Sequence, residues 1–359
     1  MRTDAAIMEC AGRVAYSECI RLGAEAVDNV DELRDATFLI TGASGMVGSA
    51  ICRTLLYLNR TQKLNIRLVL PVRASTKKEA LRGICGRSKV SIIACDLTRP
   101  LTLDERVDYI IHAACPTGSN ELKSNSAEVS RFSALSTLEL LDFGVKNDVK
   151  GFVYLSSMEV YGAIEGLTDE TKLGFIDLTF PRSCYPESKR FCENLIASYA
   201  AQHGLKAVSA RLAQVLGAGI KPGENRAYAA FARRALKNEA IVLKTDGTSH
   251  GNYVHIADAV SAILFLLTKG AAGQAYNVSS DNASLMIKDF ARRISSLLSG
   301  GKSEIIFDIP KDISTLPYAS HTGLVLDNTK LKNLGWQSRF TLDDMIVSLG
   351  KDLTELNQE

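Results

Sequence analysis

Short apolar runs alternate with longer amphipathic segments over most of this chain. Short apolar runs bounded by turn residues are typical of buried strands, whereas apolar positions that recur every three to four residues predict amphipathic helices. Strands that alternate with helices indicate an α/β fold with a parallel, doubly wound sheet and helices on both faces. The predicted strands are 37–41, 66–72, 90–95, 107–114, 151–157 and 206–212, and the longest predicted helices are 126–147 and 185–202.

The same pattern divides the chain into three parts. Residues 1–34 predict one or two amphipathic helices ahead of the first strand, which either cap the sheet or contribute to an oligomer contact. Residues 35–217 contain the predicted strands and form the predicted core domain. From residue 218 to 359 the pattern breaks into shorter mixed elements, which predict a smaller mixed α/β lobe with some segments returning to the core.

Composition and charge narrow the class of protein. The 359 residues are 46% hydrophobic and 23% charged, an ordinary globular balance. The net charge of +2 gives no electrostatic reason to expect a nucleic acid or an anionic membrane as partner. No apolar run reaches the roughly 18 to 20 residues that span a bilayer, and the N-terminal residues lack a secretory signal pattern. We therefore expect a cytoplasmic protein.

Cysteines and histidines argue against a disulfide framework and a metal site. The eight cysteines are scattered without a CxxC spacing, and the five histidines show no paired spacing. Scattered cysteines are typical of reduced thiols in a cytosolic enzyme, and structural zinc sites need closely spaced ligands. The prediction is that the chain has reduced thiols and no metal.

A glycine-rich turn joins the first predicted strand to the first helix of the core. Gly42 permits the tight turn, Gly45 lets the backbone approach a pyrophosphate, and Gly48 allows close packing of helix on strand. The phosphates then lie at the positive end of the helix, beside Ser44, Met46 and Val47. Residues 35–217 are therefore predicted to be a dinucleotide-binding Rossmann domain. The alternative interpretation of the glycine turn is a flexible loop without a ligand.

Two further positions bear on the dinucleotide. Asp96 ends the third strand, where its carboxylate either accepts from the adenine amino group or caps the turn before Thr98. The end of the second strand lacks the acidic residue that usually accepts from the ribose hydroxyls of NAD. Arg73, with Ser75 or Lys77, offers a site for a 2′-phosphate, which would favour NADP; the alternative is a solvated basic turn.

A phenol, an ammonium group and a hydroxyl form the candidate catalytic set. Tyr185 and Lys189 lie one helical turn apart, and Ser157 ends a neighbouring strand. A phenol of pKa ~10 becomes a useful base only if nearby positive charge lowers that pKa, so Lys189 is the predicted tuner and ribose ligand. Alone, the pair is compatible with a surface helix and Ser157 with a strand-end cap. Glu159 is a candidate base toward a second substrate carbon, or a loop-capping glutamate.

At these residues the chain resembles the extended short-chain dehydrogenase/reductase family, especially its nucleotide-sugar epimerases, dehydratases and decarboxylases. The resemblance covers about residues 37–349 and implies a Rossmann domain, a C-terminal substrate lobe and transient oxidation at sugar C4 by tightly bound NAD. Within the family, residues 182–190 look most like the UDP-glucuronate decarboxylase segment. The residues that match the family triad are Ser157, Tyr185 and Lys189, and Leu97, Ala113 and Ala114 complete the predicted cofactor site.

The chain departs from the family pattern at three positions. Met158 stands where the 4,6-dehydratases have an aspartate, and a thioether cannot donate a proton. Gly251 and the segment 322–326 stand where arginines usually bind the substrate diphosphate, and each such contact contributes about 1.5–3 kcal/mol. The residues that could compensate are Lys221, Arg226, Lys244 and His250.

We therefore predict a nucleotide-sugar enzyme in which Tyr185 is the C4 base, Ser157 binds the substrate oxygen and Glu159 assists decarboxylation, elimination or epimerisation. The first alternative is an NADPH-dependent keto-sugar-nucleotide reductase, motivated by Arg73. The second is a non-catalytic dinucleotide-binding regulator, motivated by Gly251. The expected partner is a nucleotide-diphosphate sugar. The family resemblance also implies a homodimer, paired through helices near 130–145 and 185–202.

Overall fold

The computed structural model describes residues 13–28, 30–76, 81, 83–85, 87–311 and 322–358. Its centre is a sheet of seven parallel strands in the order β11-β7-β5-β4-β1-β2-β3. The predicted doubly wound α/β fold is confirmed. The strands of this sheet are β1 (Thr37–Thr41), β2 (Arg67–Val72), β3 (Val90–Ala94), β4 (Tyr109–His112), β5 (Gly151–Ser157), β7 (Ala207–Leu212) and β11 (Ala275–Val278).

The sheet is covered on both faces, as its continuous apolar strands require. In β1 every residue is buried, and alternate side chains enter different hydrophobic clusters: Phe38 and Ile40 enter one, and Leu39 enters the other. The edge strand β3 is instead largely exposed. The helices around the sheet are α1 (Val14–Glu25), α2 (Met46–Gln62), α3 (Ser119–Ser124), α4 (Ser126–Lys146), α5 (Cys184–His203) and α7 (Ile256–Lys269).

A second hydrophobic cluster forms the smaller lobe, in which three helices pack around short strands. The strand β11 leaves this region to pair with β7, and α7 packs against the central sheet. The domain boundary at residue 217 stays a prediction. The remaining elements are β6 (Glu165–Thr168), β8 (Gln214–Leu216), α6 (Ala227–Leu236), β9 (Ile241–Leu243), β10 (His250–His255), β12 (Ser284–Met286), α8 (Ile287–Ser299), β13 (Ile305–Phe307), β14 (Gly323–Leu326), α9 (Thr329–Leu334) and α10 (Leu342–Leu356).

The N-terminal helix α1 packs against α2, α7 and α10. Its buried face includes Tyr16, Cys19 and Ile20, which enter the same cluster as one face of the central sheet. Residues 1–12 of the predicted extension lie outside the described residues. The helix therefore lies against α2, the helix that follows the glycine-rich turn, and the oligomer role considered from the sequence stays a prediction.

The cysteines, the possible metal ligands and the helices of the described residues were each predicted from the sequence to lack a special role. The seven cysteines in these ranges are free thiols. Within the same ranges, no group of three or more histidine, cysteine and acidic side chains could hold a metal ion. Among the helices given above, none combines the length and the apolar character needed to cross a membrane.

Candidate active site

The glycine turn between β1 and α2 is built from close backbone contacts. Gly42 has a φ of +71°, and a Cβ there would lie 2.7 Å from the carbonyl carbon of Ala113. A Cβ on Gly48 would lie 2.2 Å from the Gly42 carbonyl oxygen. Since real Cβ atoms do not approach backbone this closely, both positions require glycine. The two outer glycines of the motif therefore have the predicted roles in turn and packing.

The start of α2 is a ready binding site for phosphate. Gly45 is the N-cap in extended conformation and offers no side-chain cap. The first N–H groups of a helix have no intrahelical partner, so those of Met46, Val47 and Gly48 are available to an anion at the positive helix end. Ser44 lies in the preceding turn and is half-buried. This cradle fits the pyrophosphate of a dinucleotide.

The Thr41 hydroxyl joins the two strands that flank the binding crevice. It accepts hydrogen bonds from the backbone N–H groups of Ala113 and Ala114, both at 3.1 Å, and lies 2.8 Å from His112 Nδ1. Burial, reinforced by the charge of Lys189, lowers the pKa of His112 to about 3, so the imidazole is neutral. The strand order reverses between β1 and β4, and ligands of doubly wound sheets bind at such a switch point.

At the adenine end, Asp96 has the capping role weighed from the sequence. Its Oδ1 accepts from the Thr98 backbone N–H at 3.0 Å and from the Thr98 hydroxyl at 2.8 Å, and these bonds lower the pKa of Asp96. Leu97 packs against the cluster on one face of the sheet. Arg73 is exposed directly after β2, while Lys77 lies outside the described residues. Adenine binding by Asp96 and phosphate binding by Arg73 stay predictions.

The structure brings the candidate catalytic set together. Ser157 is the last residue of β5, and its hydroxyl lies near enough to Tyr185, in the first turn of α5, to lower the pKa of that phenol. Lys189 lies one turn further along α5, with Nζ 5.6 Å from the centre of the Tyr185 ring. The ammonium group donates to the Leu155 carbonyl at 2.6 Å, which fixes it beneath the end of β5. A phenol, a hydroxyl and an ammonium group thus converge at one strand end.

The environment of Tyr185 determines how readily the phenol loses its proton. Burial raises the pKa of Tyr185, and the neighbouring Cys115 and Glu159 raise it further. The Ser157 hydrogen bond and the Arg226 guanidinium act in the opposite direction. The predicted tuning by Lys189 is not among the largest contributions. Loss of the phenol proton is therefore favoured only by the groups that lower this pKa, Ser157 and Arg226. A substrate hydroxyl must bind beside these groups if Tyr185 is to accept its proton.

Glu159 lies beside the phenol as half of an ion pair. Its two oxygens accept from Arg182 at 2.5 Å and 3.0 Å, and its backbone N–H donates to the Ser157 hydroxyl at 3.2 Å. Arg182 belongs to the short 3₁₀ turn Pro181–Ser183 directly before α5. Burial opposes its charge, but the Glu159 contact gives a net rise in the pKa of Arg182. The carboxylate that the sequence offered as a candidate base is therefore held by an arginine through both of its oxygens.

The four residues proposed to bind substrate lie in different places. Arg226 donates to the Thr117 hydroxyl at 2.9 Å, forms an ion pair with Glu224, and acts electrostatically on Tyr185. The other three are Lys221, which is exposed on the loop before Arg226, Lys244, which forms an ion pair with Asp308, and His250, which begins β10. Arg226 is the candidate that the described contacts connect to the phenol.

The position of Gly251 is filled by a neighbouring side chain. A Cβ on Gly251 would lie 2.4 Å from the Tyr253 hydroxyl oxygen, and Tyr253 is itself stacked on Phe290 with ring centres 4.4 Å apart. A longer side chain at 251 therefore requires Tyr253 to move. The segment 323–326 is strand β14, paired with β6. At the first place where the family pattern has an arginine, the Tyr253 side chain fills the space beside Gly251. At the second place, the segment is a paired strand.

Sequence reasoning did not find Arg182, Thr41 and His112 as parts of the site. Arg182 was visible only as the start of a family-like segment, because its contact to Glu159 joins residues 23 positions apart. Thr41 and His112 lie inside predicted strands, where a polar residue gives no signal of its role. A polar residue ending a buried strand at the carboxyl edge of the sheet is the one sign that could have indicated Thr41.

Comparisons with known proteins agree with this geometry. A UDP-glucuronic acid decarboxylase from Arabidopsis thaliana is 26% identical over 318 residues, 88% of each chain. A UDP-glucuronic acid 4-epimerase structure from Bacillus cereus, solved with UDP-glucuronic acid and NAD, has a TM-score of 0.73 at 20% identity and covers 89% of this chain and 99% of that one. A UDP-glucose 4-epimerase structure from Thermotoga maritima has the same TM-score at 22% identity, covering 90% and 100%.

These structures show the shared fold, and a family model identifies the group. The model of the NAD dependent epimerase/dehydratase family matches residues 38–279, a range that contains the glycine turn, Ser157, Tyr185 and Lys189. This confirms the resemblance drawn from the sequence. The chain belongs to the NAD dependent epimerase/dehydratase family, and NAD is its cofactor.

Proposed function

We propose that this enzyme oxidises C4 of a nucleotide-linked uronic acid and then removes its carboxyl group as carbon dioxide. The observation that carries the proposal is the Glu159–Arg182 ion pair beside Tyr185. Relatives named for UDP-glucuronic acid decarboxylation support UDP-glucuronic acid as the substrate. The sugar would lie at Ser157 and Tyr185, with Arg226 close enough to contact an anionic group of the nucleotide sugar.

In the first step, the chain's own residues remove the C4 hydroxyl proton. Tyr185 accepts this proton as a phenolate, while Ser157 hydrogen-bonds the same substrate oxygen and holds it at the phenol. Arg226 and Lys189 provide positive charge around the phenolate. The chemistry that NAD supplies when bound is acceptance of the C4 hydride and its later return.

The second step follows from the position of the new ketone. With C4 oxidised, the carboxylate on C5 and the C4 ketone together form a β-keto acid. The bond between C5 and the carboxyl carbon therefore breaks and carbon dioxide leaves. The two electrons of that bond form the enolate of the C4 ketone. No proton is removed from carbon. This suits a site in which Glu159 is bound by Arg182 through both oxygens, because the cleavage asks for no strong base. Proton uptake at C5 and hydride return to C4 then complete the reaction.

Elimination fits the site less well than decarboxylation. It needs a base that removes a carbon-bound proton and an acid that protonates the leaving hydroxyl. The candidate base is paired with Arg182, and Met158 offers no proton at the adjacent position. Epimerisation at C4 is the second candidate, since it needs only the ketone to turn over in the site. The structural neighbour named as a UDP-glucuronic acid 4-epimerase favours retaining it.

Product analysis tests the proposal. Purified protein is incubated with NAD and UDP-glucuronic acid, and the products are separated and identified by mass spectrometry and NMR. We expect carbon dioxide and a UDP-pentose, with no net reduction of NAD. If the product is instead a UDP-uronic acid that is epimeric at C4, the reaction is C4 epimerisation, the second candidate, and not decarboxylation. Absence of turnover with a panel of UDP-, dTDP- and GDP-sugars would contradict both, with a known decarboxylase as the positive control.

The NADPH-dependent reductase considered from the sequence would require this chain to accept NADPH as well as NAD, and Arg73, exposed at the end of β2, is the residue that would bind the 2′-phosphate. Net consumption of added NADPH with a keto-sugar nucleotide would favour it, and an Arg73→Ala variant would then lose its preference for NADPH. The cytoplasmic location, the homodimer and a place in polysaccharide biosynthesis stay predictions. Size-exclusion chromatography with light scattering tests the homodimer.

A further inference from the structure

We propose that Arg13 and Asp352 position the loop of residues 217–226, here called the substrate loop, and thereby hold Arg226 in the active site. The helix that follows Arg13 lies outside the matched family range of 38–279. The effect on catalysis rests on the proposed function, since it requires Arg226 to bind an anionic group of the nucleotide sugar. The effect on the loop itself does not.

Arg13 and Asp352 form a largely buried ion pair, and the hydrogen bonds of its side chains go to the backbone of the substrate loop. Arg13 Nη1 lies 3.1 Å from Asp352 Oδ2, and Arg13 Nη2 donates to the Ile220 carbonyl at 3.0 Å. The same Asp352 oxygen accepts from the N–H groups of Gly219 and Ile220, at 2.9 Å and 3.2 Å. The side chains are 11% and 0% exposed. The start of the loop is therefore held from both the N-terminal and the C-terminal helix.

Burial of this pair argues that its loop contacts matter. A buried ion pair recovers the free energy of desolvation only when further hydrogen bonds satisfy its charges. Arg13 Nη1 and Asp352 Oδ1 are buried without a hydrogen-bond partner in the described part of the chain, so the bonds of Nη2 and Oδ2 to the loop are the ones that offset this cost. Burial raises the pKa of Asp352 to about 6, although Arg13 and the two loop N–H groups lower it. The ionised carboxylate thus depends on these contacts, and they join it to the loop.

The N-terminal helix also links the substrate loop to the cofactor helix. Gly219 has a φ of +97°, and a Cβ there would lie 2.5 Å from the ring of Tyr16. The Tyr16 hydroxyl lies 3.0 Å from the Ser49 hydroxyl, on α2 directly after Gly48. One helix turn therefore contacts the element that holds the dinucleotide and the loop that leads to Arg226.

The far end of the substrate loop is held as well. Arg233 of α6 donates to the carbonyl groups of Pro222 and Glu224. Glu224 accepts from both the side chain and the backbone N–H of Arg226. Contacts from charged side chains thus follow the loop from residue 219 to 226. Loss of the Arg13 contact would loosen the start of the substrate loop. The resulting change in loop conformation would displace Arg226 at its end.

The test compares Arg13→Met with Arg21→Met, a matched control on the same helix. Arg21 is a half-buried residue paired with Glu18 and Glu25 of its own helix. Both variants are examined by amide hydrogen exchange with mass spectrometry, by thermal unfolding, and by kinetics with UDP-glucuronic acid. We expect faster exchange in peptides covering 217–226 for Arg13→Met alone, with exchange elsewhere unchanged. Exchange equal to that of the control, or faster throughout the protein, would overturn the proposal.

A double-mutant cycle with Arg226→Met tests the catalytic half. We expect Arg13→Met to raise KM about tenfold with kcat within about twofold, and to add little to Arg226→Met because both act through one contact. Effects on KM that multiply would show that Arg13 does not act through Arg226. If the wild-type protein turns over no nucleotide sugar, the proposed function fails, and hydrogen exchange still decides whether Arg13 positions the loop.

Discussion

Two arginine–glutamate pairs contact α5 or the turn before it, and they differ in what surrounds them. The pair Glu159–Arg182 has a closest distance of 2.5 Å, with 25% and 9% of the side chains exposed. The pair Glu193–Arg211 has a closest distance of 2.7 Å, with 11% and 7% exposed. The two pairs therefore consist of the same residue types and have similar closest distances.

The groups around each pair distinguish the proposed catalytic role of Glu159–Arg182 from the structural role of Glu193–Arg211. Arg211 also donates to the Tyr161 hydroxyl and to the Glu170 carbonyl, and Glu193 accepts from the Ser156 hydroxyl, so protein groups surround this second pair. The Glu159–Arg182 pair instead adjoins Tyr185, and the Glu159 charge raises the pKa of that phenol. Burial of an ion pair does not by itself show that the pair stabilises the fold. The groups that each pair contacts therefore decide which role we assign to it.

The largest effect is expected from a change that leaves both pairs in place. Tyr185→Phe removes the phenol oxygen and should lower kcat about 10⁴-fold, the upper end of what a general base contributes. The unfolding free energy should stay within about 1 kcal/mol of wild type. Single-turnover kinetics and urea unfolding measure the two quantities. Turnover within tenfold of wild type would remove Tyr185 from the mechanism.

Arg211→Met breaks the structural pair. It leaves the Glu193 charge buried and unpaired, which typically costs about 3–5 kcal/mol. We expect the midpoint of urea unfolding to fall accordingly, while kcat per folded molecule stays within about twofold of wild type. A loss of kcat in the folded protein without a loss of stability would reverse the roles assigned to the two pairs.

Arg182→Met breaks the pair at the phenol. The freed Glu159 charge should raise the pKa of Tyr185 further, and kcat/KM should fall about 100-fold, equal to about 2.7 kcal/mol in the barrier. The unfolding free energy should fall less than in Arg211→Met, because Glu159 is more exposed than Glu193 and water can solvate it. The pH dependence of kcat/KM gives an independent test: the limb on which kcat/KM rises with pH should move to higher pH, because Tyr185 must lose its proton to act as the base.

The buried Arg13–Asp352 pair gives the smallest expected effect. The folded-state pKa of Asp352, about 6, lies above its ordinary value of 3.8, so the folded protein binds more protons between these values. Its contribution to the unfolding free energy therefore falls as pH rises from about 4 to about 6, by about 2–3 kcal/mol in total. Asp352→Asn should remove this contribution. Parallel stability–pH curves for the variant and the wild type would contradict it.

The parts of the fold that depend on local pattern were predictable. The apolar runs at 37–41 and 151–157 became β1 and β5 with the predicted ends, because parallel strands are buried on both faces. The strand β11 was missed, since four residues after an irregular segment carry little periodicity. Its place beside β7 is set by long-range pairing.

The candidate site divides in the same way. The glycine turn could be predicted because backbone geometry requires glycine at Gly42 and Gly48. The contacts of Arg182 and Arg13 could not, since each joins residues that are distant in sequence and are brought together by the fold. Side-chain charges on loops carry no period, so their partners appear only with the tertiary structure.

The central claim is that hydride leaves sugar C4 while Tyr185 holds the hydroxyl proton. UDP-glucuronic acid deuterated at C4 tests it most directly, in a single turnover that is quenched rapidly before mass spectrometry of the cofactor. We predict transient deuterium in the cofactor of the wild-type protein and none above background in Tyr185→Phe. Product formed by the wild-type protein without any deuterium reaching the cofactor would contradict the claim.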